Sequence, residues 1–103
     1  MAKIILCRGI QNSGKTTFAK QWVLEDPEHR VRFNNDDIRN MLGKYWVPSR
    51  EPIVKIMKSS FISGAAIFCM DVVIDNMNLD SKEIEYWKDV AKTFNYNLEI
   101  KNF

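Results

Sequence analysis

The chain has 103 residues, of which 46% are hydrophobic and 27% charged, and this composition is ordinary for one globular domain. Its net charge of +2 permits a nucleic-acid partner, but no concentrated basic patch argues for one. The sequence contains no signal peptide and no apolar run of about 18 residues, so we expect a soluble, cytoplasmic protein without a membrane-spanning segment, repeats or linkers.

The first predicted elements are a strand, a glycine-containing loop and a helix. The apolar run Ile4–Cys7 predicts the strand, and Phe18–Val23 has a helix-like pattern. Between them, Gly9–Thr17 has the form G-x-x-x-x-G-K-[ST] of the phosphate-binding P-loop, in the context that this motif requires. Backbone N–H groups of the loop and of the helix N-terminus would face a polyphosphate. The pattern therefore predicts a nucleotide-binding site formed by Gly9, Asn12, Ser13, Gly14, Lys15, Thr16 and Thr17.

Two side chains of this motif have predicted chemical roles. Lys15 would reach the β- and γ-phosphates of the nucleotide, and the Thr16 hydroxyl would bind Mg²⁺. Lys15 is therefore a candidate catalytic residue and Thr16 a candidate metal ligand.

A second strand and a short helix carry the next polar cluster. Val31–Phe33 predicts the strand and Asp37–Leu42 the helix. Asp36 and Arg39 are three residues apart, so on a helix they share a face. A carboxylate can accept the proton of a hydroxyl acceptor, and a guanidinium group suits an adjacent phosphate. Asp36 and Asp37 both qualify as the carboxylate; the alternative is that one of them only caps the helix and Arg39 is a surface charge.

The loop of residues 44–51 contains Tyr45 and Trp46, which we expect to fold back onto the core rather than to stack on bases. The next helix begins near Pro52, a residue suited to a first helical turn. Apolar residues at helical spacing predict its buried face, formed by Ile53, Ile56, Met57, Phe61, Gly64 and Phe68. Cys69, near its end, and Cys7 are both expected to be buried and without a disulfide.

The third predicted strand, Val72–Ile74, is a continuous apolar run typical of a buried parallel strand. Asp75 follows it as in a Walker B motif, where an acid could hold the Mg²⁺ shell through water or face the acceptor. Asn76 and Asn78 carry amide donors suited to sugar or phosphate oxygens, although such residues also form turns.

The last predicted elements are a helix and a half-buried strand. Asp80 and Glu83 form a capping box at the start of the helix. In the strand, Tyr96, Leu98 and Ile100 alternate with polar residues. Strands that alternate with helices predict an α/β fold with a parallel sheet and right-handed crossovers. Because ligands bind outside the C-terminal ends of such strands, we expect the three polar clusters to converge on one cleft.

The segments Gly9–Thr17, Asn34–Arg39 and Asp75–Leu79 resemble the polynucleotide 5′-hydroxyl kinase family, and the resemblance covers essentially all 103 residues. It is closest to the kinase half of phage end-healing enzymes that also carry a 3′-phosphatase domain. The resemblance implies ATP as the donor with Mg²⁺, Asp36 as the general base toward the 5′-hydroxyl, and Arg39 as the residue that holds the acceptor's 3′-side phosphate. On this basis the catalytic candidates are Lys15, Asp36 and Arg39, the substrate-binding candidates are Arg39, Asp75, Asn76 and Asn78, and the metal candidates are Thr16 and Asp75.

Two features depart from the family pattern. The family's third motif has an acid just before a residue pair that ends in Asn, and either Asp75 or Asn76 can be aligned with this acid. The chain also ends at Phe103, before the segment where such kinases carry a helical lid with a catalytic arginine, and it contains no phosphatase half. We therefore expect residues 1–103 to be a single P-loop kinase core, whose site an oligomer or a partner would complete. Together with the resemblance, this predicts an α/β, P-loop NTPase-type three-layer fold, with about four parallel strands in the order 2-3-1-4.

The predicted function is ATP-dependent phosphoryl transfer to the 5′-hydroxyl end of a nucleic acid, with DNA and RNA both open as acceptors. One alternative is a kinase of small hydroxyl compounds, which would bind no oligonucleotide. The other is a nucleotide-binding module without catalysis.

Overall fold

In a computed structural model, which describes residues 2–76 and 80–103, strands and helices alternate along the chain as expected. In chain order the elements are β1 (Lys3–Arg8), α1 (Lys15–Glu25), β2 (Arg30–Phe33), α2 (Asn35–Met41), a 3₁₀ turn (Pro48–Arg50), α3 (Glu51–Ile67), β3 (Asp71–Ile74), α4 (Ser81–Phe94) and β4 (Asn97–Asn102). Within these ranges, no helix is long and apolar enough to cross a membrane.

The strands form one parallel sheet in the order β2-β3-β1-β4, which confirms the predicted topology. β1 lies inside the sheet, where Ile4 is in register with Val72 of β3 on one side and with Leu98 of β4 on the other. All strands therefore end at the same edge, and the chain segments that follow β1, β2 and β3 leave the sheet there.

Helices cover both faces of the sheet, which gives the expected three layers. Alternate side chains of β1 point to opposite faces, so Ile5 and Cys7 contribute to one core and Ile4 and Leu6 to the other. The first core lies under α1 and also contains Ala19, Trp22 and Val73. The second core lies under α3 and α4, and its members include Phe33, Ile62, Ile74 and Trp87.

The buried face of α3 is not the one expected from the sequence. Its buried residues are Val54, Lys58, Ile62 and Ala65. Three residues of the predicted face are instead exposed, with exposed fractions of 45% for Ile53, 66% for Ile56 and 77% for Phe68. Gly64, also on the predicted face, is not closely packed, because a Cβ there would meet no atom of the described residues within 4 Å.

Lys58 explains why the prediction for α3 failed. Its Nζ lies 3.0 and 3.1 Å from the two carboxylate oxygens of Glu83 and 4.0 Å from the ring centroid of Tyr86. The charge is thus neutralised at a core-facing position, so a lysine interrupts the apolar pattern that marks the true face. The Glu83 carboxylate also accepts a hydrogen bond from Trp87 Nε1 at 3.1 Å. Of the predicted capping box, the bonds between described residues therefore include only the one in which Asp80 Oδ1 accepts the Glu83 N–H at 2.9 Å.

Two further expectations need correction. Cys7 is buried as expected, but Cys69 is exposed, because it lies with a positive φ of 55° in the turn that follows α3. Ile100 is also exposed, with a fraction of 39%, because β4 is the edge strand of the sheet, whereas Leu98 packs partly against the core.

Candidate active site

The P-loop connects β1 to α1 through two residues with positive φ angles, 63° at Asn12 and 98° at Gly14. None of the described atoms lies within 4 Å of a Cβ built on Gly14, so the backbone angle, not space, requires glycine there. The Phe18 N–H donates to the Gly14 carbonyl at 2.9 Å and closes the first helical turn. The N–H groups at the start of α1 precede this ladder and can bind an anion.

Lys15, the first residue of α1, is held over the loop. Its side chain is buried, and Nζ donates to the Gly9 carbonyl at 2.6 Å and approaches the Asn76 carbonyl at 3.5 Å. Both partners are neutral oxygens, so the ammonium charge remains available to an anion in the loop.

A cavity of about 490 Å³ opens above the P-loop, at the edge where the strands end. Residues 11–17 line it together with Lys20, Arg32, Asn34, Asp36, Asp37 and Asp75. The three polar clusters therefore converge, as the sequence predicts. Gly9 and Asn76 adjoin the cavity through their bonds to Lys15, and Arg39 adjoins it through Asp36. The candidate Asn78 lies outside the described residues.

The start of α2 places two carboxylates at this cavity. Asn34 caps the helix, because its Oδ1 accepts the N–H groups of Asp36 at 2.9 Å and of Asp37 at 3.1 Å. The alternative in which Asp36 or Asp37 is the cap is therefore wrong. The helix begins at Asn35, two residues earlier than expected, so both acids lie in its first turn with carboxylates free for other partners.

The side chains of Asp36 and Arg39 meet, as their spacing predicts. Arg39 Nη1 donates to Asp36 Oδ1 at 2.8 Å, while Nη2 and Nε donate to the two carboxylate oxygens of Glu51 at 2.8 and 3.1 Å. Hydrogen bonds to Glu51 raise the pKa of Arg39 above its usual value; burial opposes this rise and Asp36 adds to it. Arg39 in turn lowers the pKa of the Glu51 carboxyl. Glu51, which the sequence analysis did not identify, thus fixes the guanidinium plane beside Asp36.

Arg32 joins two other carboxylates at the cavity. Its Nε lies 3.0 and 3.1 Å from the two Asp75 carboxylate oxygens, Nη2 lies 2.8 Å from Asp75 Oδ2, and Nη1 lies 2.5 Å from Asp37 Oδ2. Asn34 Nδ2 also donates to Asp75 Oδ1 at 3.3 Å. Burial lowers the pKa of Arg32, but the hydrogen bonds and charges of Asp75 and Asp37 outweigh burial and raise it above its usual value. Arg32 therefore holds the acid that ends β3 and one of the two acids of α2.

The Arg32–Asp75 pair bears on the predicted metal site. Both Asp75 oxygens already accept hydrogen bonds and the residue is 1% exposed, so direct ligation of a metal would require Arg32 to move. Thr16 lines the cavity, and its hydroxyl is a candidate ligand. In the described ranges, no cluster of three or more His, Cys, Asp or Glu residues could hold a metal ion by itself. Mg²⁺ bound with one or two protein groups and phosphate oxygens is the arrangement that suits these residues.

Sequence reasoning missed Arg32, although the strand pattern contains a signal for it. Arg32 is in register with Val73, and Val73 packs on the face of the sheet that α1 covers. Residues two apart in a strand share a face, so Asp75 follows Val73 on that side, beside Arg32. Comparing β2 with β3 in register would have identified the pair.

Two buried polar atoms near the P-loop have no hydrogen-bond partner among the described residues: Ser13 Oγ and Asn76 Nδ2. Asn76 is fixed by its other amide atom, since Oδ1 accepts the Asn35 N–H at 2.7 Å. Buried polar groups are usually paired, so an unpaired donor beside a phosphate-binding loop is consistent with a ligand at this place.

Tyr45 and Trp46 do not fold back onto the core, contrary to expectation. Their exposed fractions are 47% and 53%, and the Arg39 guanidinium carbon lies 5.6 Å from the Trp46 ring centroid. The charge of Asp36 and a hydrogen bond to it raise the pKa of Tyr45. Both aromatic side chains therefore adjoin the Asp36–Arg39 pair.

Known proteins of similar sequence or fold support a kinase domain. A candidate bifunctional polynucleotide kinase/RNA ligase of Autographa californica nuclear polyhedrosis virus is 26% identical over 111 aligned positions, which cover 92% of this chain and 15% of the viral protein. A chain of the Pnkp1/Rnl/Hen1 complex matches with a TM-score of 0.83 and 25% identity, over 99% of this chain and 35% of that chain. A chain of the Pnkp1/Rnl/Hen1 RNA repair complex in a second structure matches with a TM-score of 0.82 and 25% identity, over 99% of this chain and 33% of that chain. No protein-family profile matches the chain.

The APS kinase CysC of Mycobacterium tuberculosis has a similar fold, with a TM-score of 0.60 at 11% identity over 98% of this chain and 75% of that enzyme. This likeness supports the P-loop kinase fold and carries nothing about substrate. The predicted likeness to phage enzymes in particular stays a prediction. In its sequence and its fold, the chain is a P-loop kinase-like domain similar to polynucleotide kinases.

Proposed function

We propose that this chain binds ATP·Mg²⁺ and transfers the γ-phosphoryl group to the 5′-hydroxyl end of a nucleic acid. The observation that carries the proposal is the convergence of the Lys15 loop and the Asp36–Arg39 pair at one cavity. The likeness to a polynucleotide kinase/RNA ligase and to a chain of an RNA repair complex favours a nucleic acid over a small hydroxyl acceptor. A cytoplasmic location is part of this proposal.

The donor side of the reaction rests on the P-loop. Backbone N–H groups at the start of α1 bind the phosphate chain, and the Lys15 ammonium group, held by the Gly9 carbonyl, faces the β- and γ-phosphate oxygens. The Thr16 hydroxyl would hold Mg²⁺, which neutralises charge on these oxygens when it is bound. Ser13 Oγ and Asn76 Nδ2, which have no partner among the described residues, are further candidates for phosphate contacts.

The acceptor side rests on α2. Asp36 orients the 5′-hydroxyl and takes its proton, while the hydroxyl oxygen bonds to the γ-phosphorus and ADP leaves. Arg39 keeps N–H groups beyond those used by Asp36 and Glu51, because a guanidinium group has five donors and three are occupied. These remaining donors bind the phosphate on the 3′ side of the terminal nucleotide. Asp75, held by Arg32, contributes by fixing the ends of β2 and β3.

A transfer assay with labelled ATP tests the proposal. The purified chain is incubated with 5′-hydroxyl oligonucleotides of DNA and of RNA and, separately, with small hydroxyl compounds. We expect label on the oligonucleotide and a drop of about 10²-fold or more for Asp36→Asn, the usual scale for a positioned base, with ATP binding retained. Asp37→Asn is the matched control, because its carboxylate lies in the same turn but pairs with Arg32. Label only on small compounds, or on none, would refute the proposed acceptor.

Nucleotide binding is tested separately by titration calorimetry. Lys15→Ala is expected to weaken ATP binding at least about 10-fold, because a hydrogen bond to a charged group contributes about 1.5–3 kcal/mol. Lys88→Ala is the control, since Lys88 is exposed and remote from the cavity. Equal ATP affinity of Lys15→Ala and the parent chain would contradict the assignment of the P-loop.

A further inference from the structure

Trp46 differs from the other two tryptophans of the chain in its surroundings. Trp22 is 7% exposed and Trp87 is 0% exposed, so both serve the cores, whereas half of the Trp46 surface is in contact with solvent. A single exposed apolar residue is ordinary in a globular protein and by itself indicates nothing. Its position beside the Arg39 guanidinium group, of whose five donors the described residues use three, is the observation that requires an explanation.

The loop that carries Trp46 is anchored at both ends. At its start, the Gly43 N–H donates to the Asn40 carbonyl at 3.0 Å; at its end, Arg50 Nη1 donates to the Leu42 carbonyl at 2.5 Å and the Arg50 N–H to the Val47 carbonyl at 2.8 Å. The indole ring is therefore presented on a fixed turn. Because the turn is already ordered, little backbone entropy is lost when the exposed ring that it carries binds a flat ligand.

The neighbours of Trp46 match the parts of a nucleotide. Asp36 can bind a hydroxyl, Arg39 a phosphate, and the indole face of Trp46 an aromatic ring. The Arg39 guanidinium group contacts both the Asp36 carboxylate and the indole ring. Glu51 holds the guanidinium plane and so fixes the Arg39 donors that would bind the phosphate. Exposed Lys44 adds positive charge to the same loop, which favours a polyanion.

We propose that Trp46 is the stacking platform for the nucleobase of the acceptor's 5′-terminal nucleotide. This inference rests on the proposed function and adds a base-binding subsite to it. The 5′-hydroxyl lies at Asp36, the 3′-side phosphate at Arg39, and the base of the same nucleotide stacks on the indole ring. Since every base has a π-face, the subsite is tolerant of sequence. It requires an unstacked terminal base, so single-stranded ends are bound better than blunt duplex ends.

The test compares a short single-stranded 5′-hydroxyl oligonucleotide with the same oligonucleotide that lacks the base of its 5′-terminal nucleotide. Binding to the chain is measured by the anisotropy of a dye at the 3′ end and by quenching of tryptophan emission. We expect the base-containing oligonucleotide to bind about 5- to 150-fold more tightly, the range reported by alanine substitution for stacking on one base. Trp46→Ala should remove this difference, and Trp46→Phe should keep most of it.

Phe68→Ala is the matched control, because Phe68 is an exposed aromatic residue at the end of α3 and does not line the cavity. It should bind both oligonucleotides as the parent does. If the parent binds both oligonucleotides equally, or if Trp46→Ala behaves like Phe68→Ala, the stacking site is refuted while the proposed function stands. If the parent neither binds nor phosphorylates either oligonucleotide, the proposed function itself is refuted and the subsite with it.

Discussion

Replacing Arg32 with methionine tests the electrostatic arrangement at the ends of β2 and β3. The Asp75 side chain has an exposed fraction of 0% and would lose three contacts of 2.8 to 3.1 Å. Removing one partner of a buried ion pair costs about 3–5 kcal/mol, because the other charge is left without compensation. Asn34 still donates to Asp75, and the Arg32 side chain is 16% exposed, so water can reach the vacated space. The lower end, about 3 kcal/mol, is therefore expected.

Thermal unfolding followed by circular dichroism measures this effect. For a domain of this size, about 3 kcal/mol corresponds to a fall in Tm of about 12–24 °C. The double variant Arg32→Met/Asp75→Asn removes both charges and should recover at least half of that loss. Lys88→Met is the control, because its pair with Glu85 is exposed, with a distance of 3.5 Å, and is worth about 0–1 kcal/mol.

If the Tm of Arg32→Met lay within about 3 °C of the parent's, a difference of less than about 1 kcal/mol, Arg32 would not compensate the buried Asp75 charge. The same conclusion would follow if the double variant were as unstable as the sum of the two single variants, since additive losses mean that the two side chains do not interact.

Three further predictions concern residues away from this pair. Burial and the charge of Asp75 raise the pKa of Cys7 to about 12, so a thiol reagent should label the exposed Cys69 in the native chain and both cysteines only after denaturation. A hydrogen bond to Asp26 and the charge of Asp26 raise the pKa of His29 above 6.5. The pair therefore stabilises the fold fully below pH 6.5, and its contribution is lost as the pH rises through the folded pKa. An NMR titration of Asp26→Asn should show a lower His29 pKa than in the parent. Gly14→Ala should lower Tm by about 4–16 °C, because a left-handed backbone angle costs a residue with a Cβ about 1–2 kcal/mol; an unchanged Tm would show that the loop relaxes.

The element types and the convergence of the polar clusters were predictable because they depend on local patterns, and the strand order followed from the kinase family that the motifs resemble. An apolar run such as Val72–Ile74 and a motif such as Gly9–Thr17 each carry their meaning within a few residues. The rule that ligands bind at the C-terminal ends of parallel strands then brings the clusters together without knowledge of side-chain positions.

The errors arose where partners are distant in sequence. Lys58 lies on the core side of α3 because Glu83, 25 residues later, neutralises it, and Arg32 finds Asp75 across 43 residues. In both cases a charge at a buried position conceals the pattern, and only the register of neighbouring elements reveals it. Tyr45 and Trp46 were misplaced for a related reason, since loop composition does not distinguish an aromatic that packs on the core from one that adjoins a charged pair.

The pairing of β1 also has a consequence for synthesis of the chain. Its residues pair with β3, where Ile4 meets Val72, and with β4, where Ile4 meets Leu98. At about 5–20 residues per second, the first of these partners follows β1 by roughly 3–14 s. During this interval the apolar residues of β1 and the P-loop that follows them have been synthesised, but the two strands that pair with β1 have not. The nucleotide site, although it begins at Gly9, therefore cannot be complete before β3 and Asp75 have been synthesised, and a chaperone that covers residues 3–8 would act in that interval.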